Sequence, residues 1–294
     1  MRLAYPYDAP TTLEPVFIVG SGRSGSTLLR RMLMAGGEIH FPPESYVLGL
    51  TVRRFAIRRY LPWRTIARGV LKDFERDPEF VRFGIDPREV LTPMLRIPDG
   101  SRSLGALIDV LYRFHADTIG SGVDRWGDKT PLNTRYLDEI IRAFPSGRFV
   151  NMIRDGCDVV SSYLAMGRYG SIEEAALRWR SSIRATDAFE RRHPGSIRSV
   201  RYEELVREPH RVLHDLCLEL GLRFDPLMVG TMTRAFSGGD VEALSHHHQA
   251  LQPIDPSRIG AGRAALERSD RVALEGLIGS TLSELGYPPA TESS

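Results

Sequence analysis

Residues 15–27, PVFIVGSGRSGST, limit the fold more than any other stretch of the chain. The run 15–20 is short, apolar, rich in β-branched residues and closed by glycine, so it predicts a buried strand. The loop 21–27 holds only Gly, Ser, Thr and one Arg, and 28–34 then has a helical composition. Strand, glycine loop and helix open a phosphate-binding βα unit. The loop amides and the helix N-terminus behind them make an anion cradle. The spacing is that of G-x-x-x-x-G-K-[ST], but Ser26 stands where the Lys belongs. In phosphate-loop NTPases that Lys reaches the outer phosphates. A loop without it suits a terminal oxyanion better than ATP hydrolysis.

The same alternation continues downstream. Residues 125–131, RWGDKTP, predict a short strand edge running into a turn, and 133–144 an amphipathic helix. Residues 147–156, GRFVNMIRDG, give a second buried-strand pattern with helix from about Cys157. A long helix is expected over 171–192. A third strand begins SIRSV and runs into a helix continuing through Pro209 to Leu220. A final helix is expected over 268–285. Between the first strand and RWGDKTP, 44–76 has helical spacing, 77–103 reads as loop-rich because of its Pro and Asp-Pro breaks, and Ser103 opens a helix. Residues 236–262 are also loop-rich. Strands alternating with helices predict an α/β fold: a P-loop-like, three-layer arrangement with a mainly parallel sheet flanked by helices. No interdomain linker stands out, so one domain over 1–294 is expected. Residues of about 45–120 form an insertion and about 226–290 a C-terminal loop and helix.

Composition narrows the function. Hydrophobic residues at 42% and charged residues at 26% suit a globular chain. A net charge of +2 gives no general attraction to nucleic acid. No apolar run is long enough to span a membrane, and the first residues lack a secretory layout, so a cytoplasmic location is expected. Cys157 and Cys217 are too few for a disulfide framework or a cysteine zinc site and read as reduced, partly buried thiols. Of 39 basic residues only Lys72 and Lys129 are lysine. A Lys against that arginine background suggests a task needing a compact, flexible point charge.

Two further constellations accompany the loop. Arg154 leaves the second strand with Ser162 eight residues on, and a guanidinium with a hydroxyl can hold one phosphate; a structural salt bridge is the plain alternative. Lys129, in WGDKTP, ends a neighbouring strand, so it and Arg154 would project at the carboxyl edge where α/β sheets bind ligands. The basic run 53–60, RRFAIRRY, reads as a solvated face or as a contact for an acidic group of a substrate. His246, His247 and His248 have no partner at ligand spacing and read as a polar loop rather than a metal site.

Together FIVGSGRSGSTLLRRML, WGDKTP, FVNMIRDGCDVVSSY and VRYEELVREPHRVLHDLCLELGL resemble the sulfotransferases that use 3′-phosphoadenosine 5′-phosphosulfate (PAPS), in their bacterial and tyrosylprotein-type branch. The resemblance runs from about Val16 to Leu222 and is weaker over 45–120. It implies an enzyme moving a sulfuryl group from PAPS to an acceptor hydroxyl, with PAP (adenosine 3′,5′-diphosphate) as product and no metal. It implies that Gly22, Arg23, Ser24, Gly25, Ser26 and Thr27 cradle the 5′-phosphosulfate, and that Arg154 and Ser162 hold the 3′-phosphate. Tyr202 would lie near the adenine, and Arg258 or Arg263 would close over the 3′-phosphate. Lys129 would stabilise the leaving phosphate. The cytosolic branch carries a His base two residues beyond this Lys; Pro131 stands there. Glu44, spaced from Arg23 as the branch spaces its catalytic Glu, becomes the general base, with Lys129 across the sulfur from it. A helix-capping role is the alternative for Glu44.

The acceptor is left open. Residues 45–120 and 226–262 should line it, and Tyr46, Phe55, Tyr60 and Trp63 suit a lipid, glycolipid, sugar or phenol alike; a cytoplasmic location disfavours a protein tyrosine. A homodimer stays open. The rival readings are a P-loop kinase or NTPase, against which the missing Lys argues, and a non-catalytic nucleotide-binding module, against which Lys129 with Glu44 argues.

Overall fold

The computed structural model describes residues 4–10, 12–230 and 254–292. Its centre is a four-stranded, all-parallel sheet: β1 (Val16–Gly20), β2 (Gly127–Lys129), β3 (Arg148–Ile153) and β4 (Ile197–Arg201), in the spatial order β2-β1-β3-β4. Register places Ile18 beside Lys129 and Gly20 beside Met152. The ends of β1, β2 and β3 therefore share one edge of the sheet.

Side chains alternate across the strands, so each strand feeds two layers. Phe17, Val19 and Phe149 face a core built with α2 (Leu48–Arg58), α3 (Trp63–Glu75), α4 (Pro87–Leu95), α5 (Leu104–Thr118) and α6 (Leu137–Ala143). Val16, Ile18, Val150 and Met152 face the other way, onto α1 (Ser26–Ala35), α9 (Tyr202–Arg207) and α10 (Pro209–Leu220). A third cluster joins α7 (Gly156–Ala165) and α8 (Ile172–Arg192) to α13 (Arg268–Glu284). Two shorter helices, α11 (Leu227–Gly230) and α12 (Ala261–Ala265), complete the described set. Both cysteines are free and buried, and burial pushes the Cys157 thiol up to about 12. No described helix is long and apolar enough to cross a membrane.

Three sequence expectations change. The stretch 77–103 contains a helix, α4, besides its turns. Its Asp-Pro pairs start helices: Asp77 and Asp86 are N-caps, accepting from Glu79 N and Arg88 N, with the proline at the first helical position, where no N–H is needed. The helix after β4 does not run through Pro209. Glu208 adopts φ −131° and ψ 54°, ending α9, and Pro209 starts α10. The helix expected from residue 133 begins at Leu137, after a 3₁₀ turn over Pro131–Arg135.

Candidate active site

The loop after β1 is shaped by close approach. A Cβ on Gly20, whose φ is 137°, would stand 2.4 Å from the Met152 carbonyl of β3. A Cβ on Gly25, at φ 93°, would stand 2.5 Å from the Tyr202 ring. Arg23 is the one described non-glycine residue at positive φ, 69°. Left-handed residues at Arg23 and Gly25 bend the chain as an anion-binding nest does, just before α1 begins at Ser26. The residues between Gly22 and Thr27 thus combine turned backbone with the positive end of a helix dipole, which fits a terminal oxyanion.

Lys129 arrives from the edge strand. Its side chain is fully buried and donates to Thr27 Oγ1 at 3.2 Å. It also forms an ion pair with Glu44. Glu44 is held from both sides. The next amide, Ser45 N, donates to Thr130 Oγ1 at 3.2 Å, and Tyr46 N donates to Asp77 at 2.7 Å. The Tyr46 hydroxyl donates to Glu44 Oε2 at 2.7 Å. Burial, and then Glu44, hold the Tyr46 phenol well above its ordinary range. Glu44 and Lys129 thus meet at the end of the glycine loop. They touch each other, whereas the sequence reading set them on opposite sides of a sulfur atom.

Behind Lys129 lies a network the sequence reading missed. Asp128 is buried and accepts from the Tyr112 hydroxyl at 2.8 Å and from Asn133 Nδ2 at 2.9 Å. Burial raises its carboxyl to about 6, partly offset by hydrogen bonds from Tyr112 and Thr130. The signal was available: Asp128 sits in WGDKTP, alternating with Lys129 across β2.

Arg154 stands at the end of β3. It pairs with Asp158 at 3.0 Å, donates to the Arg258 carbonyl at 2.8 Å, and lies 4.3 Å over the Tyr202 ring. Its Nη1 is 3.5 Å from Arg23 O, so it borders the glycine loop. Ser162 is not on Arg154. It accepts from Arg23 Nε at 3.0 Å, so Arg23 links the two. Burial, then Arg154, lower the Arg23 pKa. Ser24 is buried and turned inward, its hydroxyl donating to Ser21 O.

The late arginines separate. Arg258 lies beside Arg154, and its guanidinium approaches Asp255 at 3.5 Å on the surface. Arg263 does not join the site. It is buried, pairs with Asp155 at 2.9 Å, and donates to carbonyls of Pro288, Pro289 and Glu292. Its donors tie the C-terminal segment to the start of α7, away from Arg23 and Ser162 in the hydrogen-bond network.

A cavity of about 160 Å³ opens beside the loop. Its lining includes Gly22, Arg23, Ser26, Thr27, Glu44 and Tyr46 from the loop and the base, together with Arg82, Leu132, Tyr163, Arg168, Tyr169 and Arg178. Phe55 and Trp63 are packed in the core and Tyr60 is 60% exposed, so of the four expected acceptor contacts only Tyr46 reaches the cavity. Three arginines of the basic run 53–60 pair with acids, Arg53 with Glu139 and Arg54 and Arg58 with Asp73, while Arg59 lies over the Tyr7 ring at 4.7 Å. His246, His247 and His248 lie outside the described residues.

Comparison with known proteins agrees with this architecture. The protein-tyrosine sulfotransferase 1 of Danio rerio is 21% identical over 299 residues, covering 98% of this chain and 76% of its own. The sulfotransferase domain of the Synechococcus PCC 7002 olefin synthase superposes with a TM-score of 0.63 at 19% identity, covering 98% of both chains. A mouse sulfotransferase solved with PAP superposes with a TM-score of 0.52 at 11% identity, covering 95% of this chain and 88% of its own. At these identities the two structures establish a shared fold. The sequence profile of the sulfotransferase family matches residues 15–226, well over half of the chain; the chain belongs to that family.

Proposed function

We propose that the chain transfers a sulfuryl group from PAPS to an acceptor hydroxyl, with Glu44 as general base and Lys129 beside the leaving phosphate. The observation that carries this reading is the meeting of Glu44 and Lys129, 85 positions apart in sequence, at the end of the phosphate loop, with Lys129 also on Thr27. A carboxylate and a buried ammonium at the mouth of an anion cradle provide a base and a counter-charge at one point. The PAP bound by the mouse structure supports the choice of donor.

In the reaction the acceptor oxygen attacks sulfur in line, and its proton passes to the Glu44 carboxylate. The bond from sulfur to the bridging oxygen breaks, and its electron pair leaves with PAP. Lys129 and the loop amides stabilise the negative charge growing there. Tyr46, donating to Glu44 Oε2, orients the carboxylate, leaving the second oxygen to Lys129. As Lys129 turns toward the bridging oxygen, Glu44 becomes more basic. The transferred group carries less charge than a phosphoryl group, so cationic side chains and amides suffice for the same positional and electrostatic logic. Arg154, Arg23 and Ser162 form a polar corner able to hold the 3′-phosphate, with Tyr202 as a stacking surface nearby.

The test incubates a metabolite extract with the chain and PAPS and searches by mass spectrometry for products gaining one SO₃ unit. With an acceptor so found, Glu44→Gln lowers kcat by about 10²–10⁴ while PAP affinity, read by calorimetry, stays the same. Turnover within about threefold of the unmodified chain would remove Glu44 from the mechanism.

A further inference from the structure

The cavity beside Glu44 carries more positive charge than its own residues balance. Arg82, Arg168 and Arg178 line it together with Arg23, and Glu44 is the one carboxylate among the lining residues. Both oxygens of Glu44 are already engaged, by Lys129 and by Tyr46. Arg82 is paired with Glu79. The other two arginines are not matched by acids. Arg178, on α8, is 7% exposed, and its guanidinium donates to Pro131 O at 3.3 Å and Thr134 Oγ1 at 3.2 Å, both neutral. Arg168, in the turn after α7, has no side-chain partner among the described residues. It stands near enough to Tyr46 for its charge to act on that phenol, the group that holds Glu44.

Arg178 is a cation buried without an opposite charge, which is unfavourable, and proteins retain one where a ligand supplies the missing charge; Arg168, exposed at the surface, adds a second cation to the same cavity. The sulfuryl donor does not need these two. Its sulfuryl end falls to the loop amides and Lys129, and its 3′-phosphate to the corner of Arg154, Arg23 and Ser162. Arg168 lines the same cavity as Tyr46 and Glu44, close enough to act on the Tyr46 phenol. The same cavity is also lined by apolar and aromatic residues: Leu132, Tyr163, Met166 and Tyr169.

We propose that the acceptor is an anion: a hydroxyl compound with an apolar or aromatic body and a carboxylate or phosphate-type oxyanion, which Arg168 and Arg178 bind while Glu44 faces the hydroxyl. The proposal rests on the sulfuryl-transfer reading of the same site. It excludes neutral sterols, neutral lipids and simple phenols as preferred acceptors.

The test uses the chain saturated with PAP. Calorimetric titrations compare 4-hydroxyphenylacetate and 4-hydroxybenzylphosphonate with the neutral, near-isosteric 4-hydroxyphenylacetamide. Each acid should bind about tenfold or more tightly than the amide, the range of charge-assisted hydrogen bonds to a guanidinium. Arg168→Gln, a substitution at an exposed side chain without partners in the fold, should bring that ratio below about threefold. Arg178→Met tests the buried cation, with Tm monitored because Arg178 also ties down Pro131. Equal affinity for acid and amide, no saturable binding of either acid, or an acid preference that survives Arg168→Gln would overturn the proposal. Failure of PAP itself to bind would instead refute the sulfuryl-transfer reading. A difference between the carboxylate and phosphonate arms identifies which oxyanion the arginines prefer.

Discussion

Replacing Arg154 with glutamine separates its two tasks, holding the fold and holding a 3′-phosphate. The structural cost is bounded by what the substitution leaves behind. Asp158 loses its cation but still accepts from three backbone amides, Gly260 N at 3.0 Å, Gly262 N at 2.8 Å and Arg263 N at 3.1 Å. It is therefore not left as an uncompensated buried charge. The Arg258 carbonyl loses one donor and the Tyr202 ring loses its cation. These losses come to about 2–3 kcal/mol, a fall in Tm of about 3–5 °C for a chain of this length. The ligand cost is separate. One guanidinium on a phosphate, with charge-assisted bonds, contributes about 2 kcal/mol, so PAP affinity should fall about 30-fold. Adenosine 5′-phosphate, which lacks the 3′-phosphate, should change by less than about threefold. Calorimetry with both nucleotides, well below the variant's Tm, measures the difference. If both affinities fell by the same factor, Arg154 would serve only to support the loop and the Tyr202 ring. If neither fell, the 3′-phosphate would lie elsewhere.

Further outcomes follow from individual contacts. Gly25→Ala drives a Cβ into Tyr202 at a positive φ and should cost about 2–4 kcal/mol and most PAP binding, whereas Gly37→Ala, at φ 70° with open space around it, should cost about 1 kcal/mol and leave PAP binding intact; denaturation and calorimetry compare the two. Arg263→Met should lower Tm by removing the partner of Asp155 and three carbonyl contacts, yet leave PAP affinity unchanged, and a matching loss of affinity would return Arg263 to the site. Asp128 has a folded pKa raised to about 6, so the folded state holds a proton that the unfolded chain releases at lower pH. Its contribution favours folding below the unfolded pKa of about 4 and is lost as pH rises toward 6, at most about 3 kcal/mol. Asp128→Asn should flatten that part of the stability profile, read as the difference between the two denaturation curves over pH 4–7.

The residues from 15 to 27 needed only their own neighbours to be read. A β-branched run, glycines at the tight points and the following helix are local properties, decided by backbone sterics and periodicity, and the structure places them as β1, the loop and α1. The strands at Lys129 and Arg154 were legible for the same reason. The Asp-Pro caps show the limit of local reading, because the same dipeptide serves a loop or the first turn of a helix. The side-chain partners lay further from view. Glu44 could be singled out by its spacing from Arg23, but its grip by Tyr46, and Tyr46's tie to Asp77, depend on how the insertion packs over the sheet. Ser162 was matched to Arg154 along one helix, yet it bonds Arg23, 139 positions away.

By itself, then, the sequence determined where an anion is cradled and which strands carry charged residues to the same edge, since those facts follow from short-range geometry. Only the tertiary structure decided which of two nearby arginines, Arg258 or Arg263, stands near Arg154. It also decided that Arg168 and Arg178 crowd a cavity with few acids. Such outcomes depend on which way a side chain leaves its helix and which distant carbonyls or carboxylates reach it first, and no local pattern encodes that.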